Sequence, residues 1–170
     1  MKNNLNLYLI LNNIRSAHNV GAMLRTAEGF AVKEVFLCGY TPYPKLANND
    51  QRLHHISTKL ETKIAKTALG AEHMIRWEHS VNLVEAIQKI RQVDDVEVIA
   101  LEQLPKAVPI QCFKPTRSIA LIVGNEVKGI EPHELEYCDS VIAIPMRGSK
   151  ESFNVSVAAA IALFYLTLMV

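Results

Sequence analysis

Short runs of aliphatic and β-branched residues alternate along the chain with longer segments in which apolar residues recur at helical spacing. Several short runs, such as VEVIAL and IALIV, are nearly continuous apolar stretches, which is typical of strands buried on both faces of a parallel sheet. The pattern predicts strands at Leu5–Leu11, Glu34–Gly39, Met74–Trp77, Val96–Leu101, Ser118–Val123 and Val141–Pro145. It predicts helices at Ala17–Phe30, Thr58–Gly70, Asn82–Gln92, Pro132–Tyr137 and Ser152–Met169.

Strands that alternate with helices in this way predict an α/β fold with a mostly parallel sheet and right-handed crossovers. The 170 residues contain no internal repeat, low-complexity tract or linker, so we expect a single domain. A loop is expected at 104–116, where prolines cluster. Ligands of such sheets bind beyond the carboxyl ends of the strands. The loops after Leu11, Leu101, Val123 and Pro145 should therefore carry the chemistry.

The composition is that of an ordinary globular protein, with 49% hydrophobic and 21% charged residues, which excludes a disordered chain. The formal net charge is +1, so any nucleic-acid site must be a local patch and not a property of the whole surface. Cys38, Cys112 and Cys138 are far apart in the sequence, which argues against a disulfide framework or a zinc ribbon and fits a reducing cytoplasm. The sequence shows no cluster with metal-ligand spacing, and no metal is expected.

Neither end of the chain predicts a targeting signal or a membrane anchor. The first residues, MKNNLNLYLILNN, contain a short alternating apolar stretch and no cleavage-like site, unlike a signal peptide. Residues 155–170 carry no charge, but as a helix they would span roughly 24 Å, less than the roughly 30 Å hydrocarbon core of a bilayer. We expect a helix buried on most sides there, and a cytoplasmic protein.

The first polar segment of interest follows the first predicted strand and reads NNIRSAHNVGAMLRTAEG. Asn19 is placed to cap a helix and bind backbone amides, Gly21 permits close approach of another backbone, and Arg25 is left to project. The alternative interpretation is an ordinary asparagine cap followed by a surface arginine.

The second segment, LIVGNEVKGI, begins as a buried strand and turns at Gly124. Gly124 and Gly129 suit a tight turn whose backbone lies close to a ligand, and Glu126 lies between them. The phosphate-loop pattern G-x-x-x-x-G-K-[ST] does not fit, and G-x-G-x-x-G is absent from the chain. The alternative is a plain strand-end turn in which Glu126 caps the helix that follows.

The third segment, IPMRGSKESFNVSV, links the last predicted strand to a helix rich in alanine. Ser152 and Asn154 open that helix, where either residue could serve as its N-cap. The small residues behind them allow another backbone to approach closely. A cap and a ligand contact are compatible roles, so both interpretations stay open.

The three segments contain, in order, the patterns N-x-G-x-x-x-R, GNE-x-x-G, and IPM followed by S-x-N-V-S. These patterns resemble the motifs of the SpoU (TrmH) branch of the SPOUT methyltransferases, and the resemblance extends from about Leu5 to about Leu168. The resemblance implies transfer of a methyl group from S-adenosylmethionine to a ribose 2′-hydroxyl of tRNA or rRNA. It also implies a deep C-terminal trefoil knot that holds the cofactor, and a homodimer with active sites near the subunit interface. The added RNA-binding domain of many members has no counterpart here, and the length slightly favours tRNA as substrate.

Residue by residue, the resemblance assigns two groups of positions. The catalytic group consists of Asn19, Arg25, Glu126, Ser152 and Asn154. The cofactor group, which would act largely through its backbone, consists of Leu101, Gly124, Ile144, Ser152 and Phe153. Phe153 stands where the family usually has leucine. A main-chain contact survives that change, and the shape of the adenine pocket is left open.

The family's chemistry depends on the residue that matches Arg25, which is described there as the base. A guanidinium stays protonated in proteins, so we expect Arg25 to stabilise the developing alkoxide and to bind a neighbouring phosphate. The route of the proton, through that phosphate or through water, stays open. Asn19, Glu126 and Asn154 are expected to orient Arg25.

A local basic patch is predicted between Lys45 and Lys66. Five lysines and arginines in this segment stand against two acidic residues, which leaves +3 before histidines are counted. The predicted RNA-binding residues are Lys45, Arg52, Lys59, Lys63 and Lys66, with Arg15 and Arg147 in the active-site loops. A solvated helix face is the alternative interpretation of the lysines. A non-catalytic RNA-binding protein on the same scaffold is the alternative function.

Overall fold

The computed structural model describes residues 5–169 and shows one sheet of seven parallel strands with helices on both faces. The strands are β1 Leu7–Asn12, β2 Glu34–Cys38, β3 Trp77–Ser80, β4 Val96–Leu101, β5 Val108–Pro109, β6 Ser118–Val123 and β7 Ser140–Ala143. The helices are α1 Ala17–Gly29, α2 His54–Ala68, α3 Leu83–Val93, α4 Pro132–Leu135 and α5 Val155–Thr167. The predicted α/β class with a parallel sheet is confirmed.

The strands lie in the order β3-β2-β1-β6-β4-β7-β5, so the centre of the sheet combines both halves of the chain. β6 pairs with β1 on one side and with β4 on the other, which places Leu121 beside Leu9 and Ile99. Every residue of β1 and β6 is buried, in agreement with their largely apolar sequences. Because all strands are parallel, the carboxyl ends of β1, β6, β4 and β7 meet at one edge of the sheet.

Two apolar layers hold the helices to the sheet. On one face, α1, α2 and α5 pack over strand residues such as Leu9 and Leu121. On the other face, α3 packs through Ile87 and Ile90 over a layer that includes Tyr8. Each layer is continuous, so the helices that carry the polar segments are anchored on a rigid base.

Helices α1 and α2 approach each other closely at Gly21. A Cβ atom there would collide with the carbonyl oxygen of Ile64 and with the side chain of Thr67. The Thr67 hydroxyl also donates a hydrogen bond of 2.8 Å to the His18 carbonyl. The backbone that was predicted to lie close to Gly21 is therefore that of α2, and glycine is needed here for the packing of α1 against α2.

Helix α5 is apolar on both sides, but only one side is covered. Ala159, Ala162 and Leu166 are fully buried against the sheet, whereas Val157 and Phe164 are 47% and 56% exposed. The prediction of a helix buried on most sides is therefore right for one face only, since a single chain leaves the outer face open. No helix within residues 5–169 is long and apolar enough to cross a membrane.

Strand β3 lies three residues later than predicted, at Trp77–Ser80 and not at Met74–Trp77. A turn of 3-10 helix, Ala71–His73, precedes the strand along the chain. Pairing with β2 begins only where the chain comes alongside Val35, so the register of β2 decides where β3 starts. The local sequence carries no information about that register.

Three further boundaries differ from the predictions. Helix α2 begins at His54, before the predicted Thr58, and no side chain caps it. Helix α5 begins after Asn154, which is its N-cap, and not at Ser152. The short strand Val108–Pro109 forms inside the predicted 104–116 loop because it pairs with β7. The remaining boundaries agree to within two residues.

Strand β7 is the last along the chain, yet it lies between β4 and β5. The chain therefore returns after β6 to insert a strand between two that precede it. This is the course that the expected trefoil knot requires of the C-terminal segment. The knot itself stays an expectation of the fold.

Candidate active site

A cavity of about 540 Å³ opens at the carboxyl edge of the sheet. It lies where β4, β6 and β7 end and where α5 begins, the edge at which open parallel sheets bind ligands. Its volume is within the range of small-molecule sites. Its wall includes all five positions assigned to the cofactor, namely Leu101, Gly124, Ile144, Ser152 and Phe153.

The loop after β6 forms one wall of this cavity by folding back on itself. Asn125 and Gly129 exchange backbone hydrogen bonds of 3.2 and 2.9 Å, and Gly129 has a φ of +68°. A Cβ atom on Gly124 would lie 2.6 Å from the carbonyl carbon of Gly129. Glycine at both positions is therefore required by the loop itself.

Glu126, in the middle of that loop, binds the start of α1. Its carboxylate accepts hydrogen bonds from the backbone amides of Arg15 at 2.9 Å and Ser16 at 3.0 Å, and from Asn19 Nδ2 at 2.9 Å. Amides at a helix N-terminus lack partners within the helix and favour an anion. The N-cap of α1 is Ser16 and not Asn19 as predicted, since Ser16 Oγ accepts from the Asn19 amide at 3.3 Å. Glu126 binds the two amides just before α1, and the helix that follows it in the sequence is capped by Glu131.

These hydrogen bonds set the charge state of Glu126. Partial burial raises the pKa of the carboxyl group, but the bonds from the Arg15 amide and the Asn19 side chain stabilise the ionised form. The net result is that the pKa of Glu126 is lowered. At neutral pH Glu126 is an anion held as a fixed acceptor.

Asn19 connects the first motif to the third. Its Oδ1 accepts a hydrogen bond of 3.4 Å from Asn154 Nδ2, while its own Nδ2 donates to Glu126. Asn154 also caps α5, because its Oδ1 accepts from the Ser156 amide at 2.9 Å. Ser152 is exposed at the cavity wall. Residues of all three motifs therefore lie together beside the cavity.

Arg25 does not join this cluster within one subunit. It lies on α1 six residues after Asn19, about 9 Å further along the helix axis, and its side chain is exposed. No hydrogen bond or ion pair to its guanidinium is found from any residue within 5–169. Direct orientation of Arg25 by Asn19, Glu126 and Asn154, as predicted, is therefore not seen within the subunit.

Two residues of the site, Asn125 and Tyr40, were not assigned from the sequence. The Asn125 side chain is buried, and its Nδ2 donates to the Asn13 carbonyl and to the Tyr40 hydroxyl, both at 2.9 Å. Its Oδ1 accepts from the amides of Val127 and Lys128. A polar residue two positions after the end of a buried apolar strand, inside the GNE-x-x-G motif, is the signal that could have identified Asn125. Tyr40 follows β2 and gave no such signal.

The carboxylates around the cavity do not form a metal centre. Glu102 Oε1 accepts a hydrogen bond of 2.7 Å from the Ile130 amide, and burial raises the pKa of Glu102. Glu126 is bonded to α1, as described above. Over the described range, 5–169, no group of three or more His, Cys, Asp or Glu side chains could hold a metal ion.

Arg52, predicted to bind RNA, is used within its own loop. Its guanidinium contacts both carboxylate oxygens of Asp50, at 2.9 and 2.6 Å, and lies 3.6 Å above the Tyr43 ring. It also donates to the carbonyls of Tyr43 and Pro44. Only 15% of the side chain is exposed, and the Arg52 guanidinium holds the pKa of Asp50 well below its usual range. This geometry argues against Arg52 as an RNA contact.

The other cations predicted to bind RNA lie at or near the surface. The exposed ones are Arg15, Lys59, Lys63, Lys66 and Arg147. Lys45 is half-buried, and its Nζ lies 3.3 Å from His54 Nδ1. The three lysines of α2 therefore form the exposed basic face that their spacing predicted.

Solved structures of RNA methyltransferases share this fold. An AdoMet-bound rRNA methyltransferase from Sinorhizobium meliloti superposes with a TM-score of 0.78 at 22% identity, over 94% of this chain and 55% of that one. A structure that concerns the 2-OH methylation of C/U34 on tRNA gives a TM-score of 0.75 at 19% identity and covers 96% of this chain and 97% of that one. The fold is that of the SpoU and TrmH methyltransferases.

Sequence comparison identifies the family. The model of the SpoU rRNA Methylase family matches residues 6–164, and the chain belongs to that family. The 23S rRNA (guanosine-2′-O-)-methyltransferase RlmB of Acinetobacter baylyi is 30% identical over 158 residues. The match covers 93% of this chain and 58% of the relative, so the chain spans little more than half of that protein's length. The resemblance carried by the three motifs is confirmed.

Proposed function

We propose that this chain is an S-adenosylmethionine-dependent methyltransferase that acts on a ribose 2′-hydroxyl of RNA. The observation that carries the proposal is that the second and third motifs line one cavity at the strand ends, while Asn19 of the first motif is hydrogen-bonded to both. Family membership supports the same activity, and so does the cofactor bound to the Sinorhizobium meliloti neighbour. Residues 1–170 act as one methyltransferase domain, and the enzyme works in the cytoplasm.

S-adenosylmethionine fits the cavity in size and in chemistry. The wall of the 540 Å³ cavity combines apolar side chains of Leu101, Ile144 and Phe153 with the carboxylates of Glu102 and Glu126. Apolar groups suit an adenine ring, and carboxylates suit a cationic sulfonium. When bound, the cofactor supplies an electrophilic methyl group on a sulfur that leaves as a neutral thioether.

Arg25 stabilises the oxygen that attacks this methyl group. Attack on that methyl group would leave negative charge developing on the 2′-oxygen, with the thioether as leaving group, and the hydroxyl proton would pass to water or to an adjacent phosphate. A guanidinium stabilises the developing negative charge and binds phosphate through its planar fork. Glu126 and Asn19 fix the start of α1, the helix that carries Arg25, and so position Arg25 through the helix.

The outer face of α5 is the surface that we assign to a homodimer. Val157, Phe164 and Leu168 are 47%, 56% and 68% exposed, and their spacing is close to whole numbers of helical turns. Such an apolar stripe is stabilised when a second copy covers it. Helix α1, which carries Arg25, packs against α5, so the proposed interface lies close to that helix.

The RNA substrate is a ribosomal or a transfer RNA, bound in part by the lysines of α2. The Acinetobacter baylyi relative is named for 23S rRNA, whereas the neighbour of nearly equal length concerns tRNA. Because the relative named for rRNA has the higher sequence identity, we place rRNA before the tRNA that the chain length favoured.

Methyl transfer to unmodified transcripts tests the proposal. The purified chain is incubated with S-adenosylmethionine labelled in its methyl group and with unmodified bacterial 23S rRNA or tRNA, and the RNA is digested to nucleosides. The expected product is a 2′-O-methylnucleoside at one position of one RNA. The matched control is the same RNA with a 2′-deoxyribose at that position, which should accept no label. Label on a base, or in neither RNA, would overturn the proposal.

A further inference from the structure

A second cavity, of about 490 Å³, opens beside the first. It is lined by Arg15, Tyr40, Asn125, Val127 and Lys128. Asn125, Val127 and Lys128 also line the first cavity, so the two cavities share one wall. The roles assigned above use neither Tyr40 nor Lys128, and the second cavity has no assigned ligand.

Tyr40 presents an aromatic ring whose position is fixed. The residue is 60% exposed, yet its hydroxyl accepts the hydrogen bond from buried Asn125, and its amide donates to Asn13 Oδ1 at 3.4 Å. Gly39 before it has a φ of +64°, and Asn13 Oδ1 occupies the place of a Cβ there. A ring held in this way loses little conformational freedom when a ligand stacks on it.

Positive charge and apolar surface surround this ring. Arg15 and Lys128 are exposed, and neither forms an ion pair with a residue of the described range. Val127 is 76% exposed. The amides of Val127 and Lys128 both donate to Asn125 Oδ1 at 2.9 Å, so the side chain that anchors Tyr40 also fixes the backbone of its neighbours. An aromatic ring beside free cations suits a nucleobase and its phosphates.

We propose that the second cavity binds the nucleotide that is methylated, with its base stacked on Tyr40 and its phosphates bound by Arg15 and Lys128. This inference rests on the proposed function. Proteins that bind one specific RNA position mostly do so in single-stranded loops and bulges, where an unstacked base can stack on an aromatic side chain. The sugar of a nucleotide lies between its base and its phosphates. Because the two cavities share the wall at Asn125, a nucleotide bound in this way has its sugar next to the first cavity. Stacking accepts every base, so Tyr40 determines affinity and position rather than base identity.

Substitutions at Tyr40 and Lys128 test the inference. Tyr40→Ala removes the ring, Tyr40→Phe keeps the ring without its hydroxyl, and Lys128→Ala removes one cation. The matched controls are Tyr137→Ala and Lys106→Ala, at residues exposed elsewhere. Tyr40→Ala should lower kcat/KM for the methylated transcript roughly tenfold or more, as loss of one stacked base does. Tyr40→Phe keeps the ring but loses the bond to Asn125, so it should lose less activity than Tyr40→Ala, and both Tyr40 variants should bind S-adenosylhomocysteine as the wild type does in calorimetry.

Ultraviolet crosslinking supplies a readout that does not depend on activity. Unmodified 23S rRNA and tRNA transcripts are irradiated with the protein, and the attached nucleotides are located by mass spectrometry of the peptides. We expect attachment at Tyr40, lost in Tyr40→Ala and kept in Tyr137→Ala.

The outcomes separate this inference from the proposed function. Wild-type activity in Tyr40→Ala, with crosslinks confined to α2, overturns the inference while the methyltransferase assignment stands. A crosslink at Tyr40 without any methyl transfer supports the RNA pocket and overturns the proposed function. RNA that neither crosslinks nor accepts a methyl group overturns both.

Discussion

Single side chains join the three motifs of the site. Glu126 accepts three hydrogen bonds from the start of α1, and Asn19 continues the connection to Asn154. Each of these contacts links segments more than a hundred residues apart. Because hydrogen bonds to a charged acceptor contribute about 1.5–3 kcal/mol, Glu126 matters both for stability and for the alignment of α1.

Glu126→Gln should lower the free energy of unfolding at pH 7 by about 1–3 kcal/mol, because a neutral amide is a weaker acceptor than a carboxylate. The folded-state pKa of Glu126 lies below its value in the unfolded chain. The ionised side chain therefore stabilises the fold above the unfolded pKa and loses this contribution as the pH falls through the folded pKa. In urea unfolding, the gap between wild type and variant should narrow from pH 7 to pH 3.

The control for this series is Glu136→Gln, which removes an exposed carboxylate at the end of α4. It should unfold with the wild type at every pH. A gap for Glu126→Gln that stays constant down to pH 3 would show that the effect comes from shape and not from charge.

Arg25→Lys should lower kcat/KM for RNA about a hundredfold or more, because a point ammonium does not reproduce the fork of a guanidinium against a developing anion. Arg25 has no partner within residues 5–169, so thermal unfolding and S-adenosylhomocysteine binding should be unchanged. Arg76→Lys, at another exposed arginine, is the matched control. Retention of near wild-type activity in Arg25→Lys would refute the role assigned to Arg25.

Among the elements, α2 has one face for the core and one for solvent. Ile64 and Ala68 are buried against α1, where Gly21 admits the backbone of α2. Lys59 and Lys63 lie on the exposed side of the same helix. Because the two faces are separate, the basic side of α2 can be changed without disturbing the fold.

Reversal of Lys59, Lys63 and Lys66 to glutamate should weaken RNA binding and flatten its dependence on salt, because each lost phosphate contact removes roughly 0.7–0.9 from the slope of log K against log salt. Cofactor affinity should not change, since none of the three residues lines the cavity. Filter binding at several salt concentrations measures both effects. The matched control carries the same charge change at Arg76, Lys106 and Lys114. Equal losses in the two triple variants, or a fall in cofactor affinity, would contradict the assignment.

The elements differ in how far the sequence predicts them. Strands β4 and β6 lie at the predicted residues because a nearly continuous apolar run is itself the signal for a buried parallel strand. The start of β3 and the existence of Val108–Pro109 depend on pairing with distant strands, which no local pattern encodes. The hydrogen bond between Asn125 and Tyr40 joins residues 85 positions apart in the sequence. The contacts of Arg52 with Tyr43 and Asp50 depend on the conformation of their loop. The motif resemblance therefore predicted which residues form the candidate site, whereas the contacts that support them needed the structure.

The whole molecule keeps an apolar face that its own chain leaves open. Val157, Phe164 and Leu168 form this face on α5, while the opposite side of the helix is fully buried. The buried half of α5 is explained by packing within residues 5–169, so the proposal of a second copy rests on the exposed outer half. The motif resemblance predicted the homodimer, and the exposed stripe adds a physical reason for it.

Light scattering at micromolar concentration should give a mass about twice the 19.0 kDa of one chain. Val157→Asp should shift the protein to the mass of one chain, because a carboxylate in an apolar interface is desolvated without a partner. Val93→Asp, at an exposed valine on α3, is the matched control and should leave the mass unchanged. A wild-type mass of 19.0 kDa would overturn the dimer.

Calorimetric titration with S-adenosylhomocysteine tests the central claim most directly, because it needs no knowledge of the RNA. If the cavity at the ends of β4, β6 and β7 holds the methyl donor, the titration should show micromolar binding, roughly −8 kcal/mol, with one site per subunit. The titration is repeated with unmodified 23S rRNA and tRNA present, so that a cavity completed by RNA is also detected. No heat up to millimolar ligand, with and without RNA, would contradict the assignment of this cavity to the cofactor.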